Sequence, residues 1–318
     1  MRIGVTGAFG YVGAHVTSRL LTAGHDVVAV SLAPAAPDLP ARVANVRSVI
    51  ADITDTAALT GAFDGCDAVV HAAALPAAAC EADPALALRV NGFGTRAVLD
   101  EARRAGVGRV VYLSTYHVYG RETGRIDESL PVRPASDYGI SKAAGEGQCF
   151  RAAKRGDTEV FVARFSNGFG APLARSAQCW DLAIPSFCRS AAETGRVVLR
   201  SAGMQQRDFL TIPDMCDAIE LLLAAPALAA GDSDIVYNVG GERSLSMRDA
   251  ARIVSAEYEA LTGTAAPIDL PAGSESTPIE PGVDYRFDRI AGLGYRPVGD
   301  LAREVRQTLE LLGVRAGE

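Results

Sequence analysis

Thr6-Gly7-Ala8-Phe9-Gly10-Tyr11-Val12-Gly13 follows directly on the apolar stretch Arg2-Ile3-Gly4-Val5 and opens a helical pattern that reaches Thr22. Gly7 and Gly10 permit a tight turn and a close backbone approach by a ligand, and Gly13 lets the helix pack against the strand before it. The free N–H groups at the start of that helix aim at the turn, which makes a ready site for a pyrophosphate. A strand, a glycine turn and a helix in this order point to a dinucleotide-binding α/β fold.

Working outward, His25–Ser31 reads as a second strand. Its last residue chooses between NAD, held by an acid on the ribose hydroxyls, and NADP, accepted by small residues with a nearby arginine. Ser31, followed by Leu32-Ala33-Pro34, is neither acid nor base, and the nearest downstream cation is Arg42. Val46–Ala51 and Asp67–His71 read as third and fourth strands, and Arg109–Thr115 as a fifth. Asp83-Pro84 supplies a cap and a first-turn proline for one long helix reaching Arg104. Strands alternating with helices imply right-handed crossovers and a parallel sheet that binds ligands at the strands' C-terminal ends. Thr6, Asp52, Ala73 and Thr115 fall along that edge, with a turn or helix cap as the plain alternative for Asp52.

Ser136 caps a helix that carries Tyr138 and Lys142, which lie on one face four residues apart. A free phenol has a pKa of about 10 and exchanges protons poorly at neutral pH. Fixed positive charge nearby is expected to move it toward working pH.

Composition narrows the function. The 318 residues suit one large domain or two interlocked ones, with 48% hydrophobic and 22% charged residues. A net charge of -7 argues against a nucleic-acid or anionic-membrane binder. No stretch offers 18 consecutive apolar residues, and no leader pattern precedes the first strand. Cys66, Cys80, Cys149, Cys179, Cys188 and Cys216 lack CxxC spacing or a nearby His, so they read as reduced, buried side chains in a cytoplasmic protein with no metal.

Together these pieces resemble the extended short-chain dehydrogenase/reductase family, the group that contains nucleotide-sugar epimerases, dehydratases and ketoreductases. Thr6 to Gly13 is similar to its glycine loop and Tyr138-Gly139-Ile140-Ser141-Lys142 to its YxxxK. Ser114-Thr115-Tyr116-His117-Val118-Tyr119-Gly120 is similar to its S-S/T-x-x-V-Y-G strand end. Arg164 to Gly170, Arg207-Asp208-Phe209-Leu210, Tyr237-Asn238-Val239-Gly240 and Leu293 to Pro297 follow in family order. The resemblance implies a Rossmann-type doubly wound sheet over 1–166, with returns near 207–240, and a smaller, mainly substrate-binding α/β part over 167–318.

It also implies roles. Tyr138 would be the acid/base, Lys142 would bind the nicotinamide ribose and bias Tyr138, and Thr115 would hydrogen-bond the reacting oxygen. Gly7, Phe9, Gly10, Tyr11, Val12, Gly13 and Ser31 would hold the cofactor. So would Asp52 and Ile53 at the adenine, Ala72, Ala73 and Ala74 along the channel, and Asn91 near the active site. Tyr116, His117, Asn167, Trp180 and Arg207 would meet the substrate, with Arg196, Arg200 and Arg286 assisting. A homodimer through helices near 84–104 and 136–154 is expected.

In the second half, helices are expected over Trp180–Thr194, interrupted near Pro185, over Pro213–Ala224, and from the Ser246 cap to Leu261. Arg196–Arg200 reads as a short strand, a strand near Tyr237 should rejoin the main sheet, and Pro271–Pro281 is a loop. Two departures from the family bear on the nucleotide. Ser274-Glu275-Ser276-Thr277 offers no arginine, and Trp180 to Pro185 replaces the N-L-x-P pattern.

The function expected is an NDP-sugar 4-epimerase working by transient oxidation with bound NAD. An NADPH-dependent NDP-4-keto-sugar reductase is the alternative, favoured by Ser31. A dehydratase fits less well, because that branch places acids where Tyr116-His117 stand. A cofactor-binding protein without catalysis would have no need of Thr115, Tyr138 and Lys142 together.

Overall fold

The computed structural model describes residues 1–227, 234–274, 277–278 and 280–315. Seven strands form the central sheet: β1 (Arg2–Thr6), β2 (Asp26–Ser31), β3 (Arg47–Ile50), β4 (Ala68–His71), β5 (Arg109–Thr115), β6 (Glu159–Phe165) and β7 (Val236–Val239). Their order is β7-β6-β5-β4-β1-β2-β3, and every neighbouring pair is parallel. The order reverses between β1 and β4, so the chain leaves the sheet there in opposite directions and opens a crevice. The central strands are apolar on both faces: β4 is buried throughout, and β5 and β6 after their first residue. That continuous burial is what a parallel sheet covered on both sides requires.

Two apolar layers sandwich the sheet. One holds Ile3, Val5, Val16, Leu20, Phe161 and the helix Ile212–Ala224. The other holds Phe63, Val98, Leu99, Tyr112 and Val160. A separate cluster in the second half joins Phe187, Val197, Phe209, Val254, Leu301 and Leu309. The strand near Tyr237 rejoins the main sheet as expected, pairing Val236–Val239 with Val162–Phe165.

Several boundaries moved. The helix from Pro84 is not one regular helix. Pro84–Ala87 is followed by a π-helical segment, Leu88–Gly94, and only then by Thr95–Arg104. The expected 180–194 helix begins at Ala183, so Pro185 lies in its first turn, where a missing N–H costs nothing. The 196–200 strand shrinks to Val197–Val198, which pairs with Ile268–Asp269. Ser246 caps Met247–Thr262 by accepting from the Asp249 N–H at 3.0 Å. Of the Pro271–Pro281 stretch, residues 275, 276 and 279 lie outside the described residues.

Candidate active site

The glycine loop sits at the C-terminal end of β1. Gly7 has φ +65°, and a Cβ there would lie 2.9 Å from the Ala73 backbone. A Cβ on Gly13 would lie 2.0 Å from the Gly7 carbonyl oxygen, so any side chain would force loop and helix apart. Gly10 precedes the helix Tyr11–Thr22 with no side-chain cap and no acid in the first turn. The first N–H groups are thus left for an anionic ligand. Tyr11 does something else with its side chain. Its hydroxyl donates to the Gly170 carbonyl at 2.7 Å and accepts the Gly170 N–H at 2.8 Å, tying the loop to the second half. Phe9 packs both on the first core layer and on the small cluster that holds Leu39 and Val43, and Val12 is partly buried against the first core layer.

Ser31 ends β2, its carbonyl accepting from the Ala51 N–H at 2.9 Å. Asp52 uses one carboxylate oxygen on the Thr54 N–H at 2.8 Å, the turn role named as its plain alternative. Ile53 is 7% exposed and packs its side chain on Gly94, where a Cβ would meet Ile53 Cδ1 at 2.8 Å. Its side chain thus belongs to the second core layer. Ala72, Ala73 and Ala74 leave β4 beside the loop, with the Ala73 N–H donating to Thr6 Oγ1 at 3.2 Å.

A buried relay fixes this edge. Thr6 Oγ1 lies 2.7 Å from His71 Nδ1, and His71 Nε2 lies 3.0 Å from Thr95 Oγ1. Thr95 donates to the Asn91 carbonyl at 2.6 Å, so it must accept from His71 Nε2–H, which leaves Nδ1 to accept from Thr6. Burial, with Lys142 nearby, pushes the imidazole down to about 3, which keeps it neutral. Asn91 is also buried, with Oδ1 accepting from the Leu75 N–H at 2.8 Å and Nδ2 donating to Ser141 Oγ at 2.9 Å. It holds the channel wall to the helix Asp137–Arg155 rather than offering its amide outward.

Thr115, Tyr138 and Lys142 converge at the end of β5. Ser136 caps the helix by accepting from Gly139 N–H at 3.1 Å, and Gly139 lets it pass the His117 carbonyl, which a Cβ would meet at 2.8 Å. The Thr115 hydroxyl accepts the His117 N–H at 3.3 Å and stands near the Tyr138 phenol. Lys142 is 3% exposed, donates to the Leu113 carbonyl at 2.6 Å and rests 4.2 Å above the Tyr112 ring. Burial pushes the ammonium down to about 8. The expected effect on the phenol is reversed: burial pushes Tyr138 up to about 12, Cys80 adds to this, and the Thr115 hydroxyl opposes it. Desolvation sets the direction, while the Lys142 ammonium is turned to the Leu113 carbonyl.

His117 lies between two rings, 4.3 Å from Tyr116 and 5.8 Å edge-on to Tyr138. Burial, with Arg207 adding to it, pushes this imidazole down to about 4. Tyr116, Asn167 and Arg207 line a neighbouring cavity with Glu122, Asp208 and Tyr285. Arg207 Nη1 and the Tyr116 hydroxyl both donate to Asn167 Oδ1 at 3.4 Å, and Arg207 forms no ion pair among the described residues. A half-buried guanidinium without a carboxylate suits an anionic ligand. Trp180 is not among the residues lining that cavity, and its indole N–H goes to the Arg175 carbonyl at 3.0 Å. Arg196 pairs with Asp269 and Arg286 with Asp288, while Arg200 is exposed, so the first two guanidinium groups are already engaged.

Sequence reasoning missed Glu146. It is 1% exposed, accepts from Ser114 Oγ at 2.6 Å, and is gripped by Arg164 at 2.8 and 2.6 Å. The signal was available, since position 146 is one helical turn beyond Lys142 on the same buried face. Among the described residues no group of three or more His, Cys, Asp or Glu could hold a metal, and no helix is long and apolar enough to cross a membrane.

The model of the NAD dependent epimerase/dehydratase family matches residues 3–240. The dTDP-glucose 4,6-dehydratase of Streptomyces griseus is 33% identical over 256 residues, covering 77% of this chain and 75% of that protein. DesIV, a dTDP-glucose 4,6-dehydratase from Streptomyces venezuelae solved with NAD and TYD bound, gives a TM-score of 0.80 at 28% identity, over 98% of this chain and 96% of that one. MoeE5 in complex with UDP-glucuronic acid and NAD gives 0.79 at 25% identity, over 98% of each chain.

Proposed function

The chain belongs to the NAD dependent epimerase/dehydratase family, and from that premise we propose that it is an NDP-sugar 4-epimerase with NAD as its cofactor. The observation that carries this reading is the meeting of Thr115, Tyr138 and Lys142 at the sheet edge, with neutral rings, Tyr116 and His117, directly after Thr115. That set handles a proton at a carbon–oxygen bond and presents no carboxylate pair for eliminating water.

The residues present fit the dinucleotide. The cradle that a Cβ on Gly7 or Gly13 would fill, with the uncapped helix start, takes the pyrophosphate, and Ala73 and Ala74 leave room along the channel. When bound, NAD supplies the hydride acceptor and, oxidised, a positive charge. Tyr138 takes and returns the proton of the sugar hydroxyl, while Thr115 orients the same oxygen. Lys142 stays charged below about pH 8 and is the chain's own cation at the site. Arg207 and Asn167 hold the sugar diphosphate.

Residues 167–318, with returns to the main sheet, act as the substrate half. Exposed Leu86, Phe93, Ile140 and Phe150 on the two helical stretches near 84–104 and 136–154 support a homodimer through that face. Six unpaired cysteines suit the reducing cytoplasm.

Purified protein should interconvert two NDP-sugars epimeric at C4 with no added reductant. Absolute dependence on external NADPH would instead identify the keto-sugar reductase. A second reading, 4,6-dehydration, is favoured by the 33% identical relative of that activity. Loss of water from the product, read by mass spectrometry, would decide for it.

A further inference from the structure

The residue that ends β2 offers no charged group to a ribose, and the run after it is apolar and proline-rich: Leu32-Ala33-Pro34-Ala35-Ala36-Pro37-Asp38-Leu39-Pro40. This run does not stay with its own strand. Asp38 reaches Ser176, 138 residues away, and both carboxylate oxygens are used there. Oδ2 accepts the Ser176 N–H at 3.0 Å and Oδ1 accepts the Ser176 hydroxyl at 2.5 Å. Beside that contact, Leu39 and Val43 are buried with Ala174 and Ala14, and Phe9 and Leu173 pack on them. Phe9 belongs to the glycine loop, Leu39 to the run after β2, and Ala174 to the segment beyond Gly170. The glycine loop, the run after β2 and the segment beyond Gly170 therefore share one small apolar cluster.

We propose that this contact is a clasp that retains the dinucleotide, so that a bound cofactor leaves only when Asp38 parts from Ser176 and Leu39 from Ala174. The proposal rests on the NAD reading above. Its logic is a transfer of duty. Where an acid at the end of β2 would hold the ribose directly, this chain has Ser31 and instead fastens the following segment across the glycine loop. An exposed carboxylate–hydroxyl contact backed by a few buried methyl groups is strong enough to slow opening and weak enough to allow it. A reaction that returns the hydride to the same sugar gains from a cofactor that stays in place.

The test uses the full chain loaded with NAD, comparing wild type with Asp38→Ala, Ser176→Ala and Leu39→Ser. Cofactor remaining on the protein is measured by rapid gel filtration at intervals after dilution, and the cofactor-free melting temperature is recorded for each. The expected result is release faster by about tenfold in Asp38→Ala and Leu39→Ser and by a smaller factor in Ser176→Ala, since an interaction lost from the closed state appears in the off-rate. The Asp38→Ala/Ser176→Ala double variant should match Asp38→Ala, which already removes both bonds, whereas Ser176→Ala alone keeps the backbone N–H bond to Asp38. Release at the wild-type rate from variants that still bind NAD and keep the wild-type melting temperature overturns the clasp and leaves the cofactor reading intact. A wild-type protein that takes up no NAD overturns the cofactor reading, and the clasp falls with it.

Discussion

Lys142 donates its ammonium to the carbonyl oxygen of Leu113 at 2.6 Å, so the helix carrying the site is fastened to the strand carrying Thr115 two residues before that threonine. Burial pushes this ammonium down to about 8. The unfolded value is about 10.4, so between the two values the unfolded chain binds more protons and the fold gains stability as pH rises. Activity should move the other way. The rate should fall on the alkaline side with a midpoint near pH 8 as Lys142 loses its charge, and a pH profile of kcat/KM that stays flat well above that value would remove Lys142 from the chemistry.

Tyr138→Phe removes the phenolic hydroxyl beside Thr115 and leaves the ring in place. Turnover should drop by about 10²- to 10⁴-fold, the usual worth of a positioned acid/base. NAD content and melting temperature should stay near wild type. Unchanged turnover would mean that another group moves the proton.

Gly13→Ala places a methyl group 2.0 Å from the Gly7 oxygen, and neither backbone can yield without moving the other. The variant should lose about 1–3 kcal/mol, the cost of overpacking, and bind NAD poorly. Urea denaturation and cofactor titration check both parts. Full cofactor affinity in this variant would show that the loop has room the structure does not allow.

His71 stays neutral in the fold to about pH 3, while its ordinary value is 6.5. Below pH 6.5 the unfolded chain binds a proton that the fold refuses, so stability falls with decreasing pH across that window, by about 1.4 kcal/mol per unit. His71→Gln should lower stability at neutral pH, because the Thr6 and Thr95 partners lose their fit, and should flatten this acid dependence. Urea midpoints measured from about pH 7 to about pH 5 on both proteins decide it. Equal slopes would place the acid sensitivity elsewhere.

Glu146 and Arg164 are both nearly fully buried, and Ser114 adds a third bond. Glu146→Leu leaves the guanidinium without its partner and should cost about 3–5 kcal/mol. Adding Arg164→Met should recover part of that loss, because an apolar pair no longer strands a charge. A double variant less stable than either single one would show that the pair acts as more than mutual neutralisation.

The glycine loop, the five leading strands and the Tyr138–Lys142 helix were legible because each is written locally. Gly7 and Gly13 answer a steric demand within a few residues, and Ser136 announces its helix three residues ahead of the N–H that it caps. What could not be read depends on distance or burial. Ser114, Glu146 and Arg164 lie on three separate elements and meet only once β5 and β6 pair. The direction in which Tyr138 shifts is set by how much water the fold removes, which spacing along a helix does not encode. The π-helical segment at Leu88–Gly94 escaped for a similar reason. Gly92 and Gly94 weaken a helix there without saying what replaces it, and in the fold the Asn91 side chain is tied to Leu75 and Ser141 on other elements.

The two-way bond between the Tyr11 hydroxyl and the backbone of Gly170 makes the two halves poor candidates for exchange. A substrate half grafted from a relative must bring a backbone that meets Tyr11 with both its N–H and its carbonyl. New specificity in this chain is therefore easier to reach by changing side chains within its own second half than by swapping that half whole.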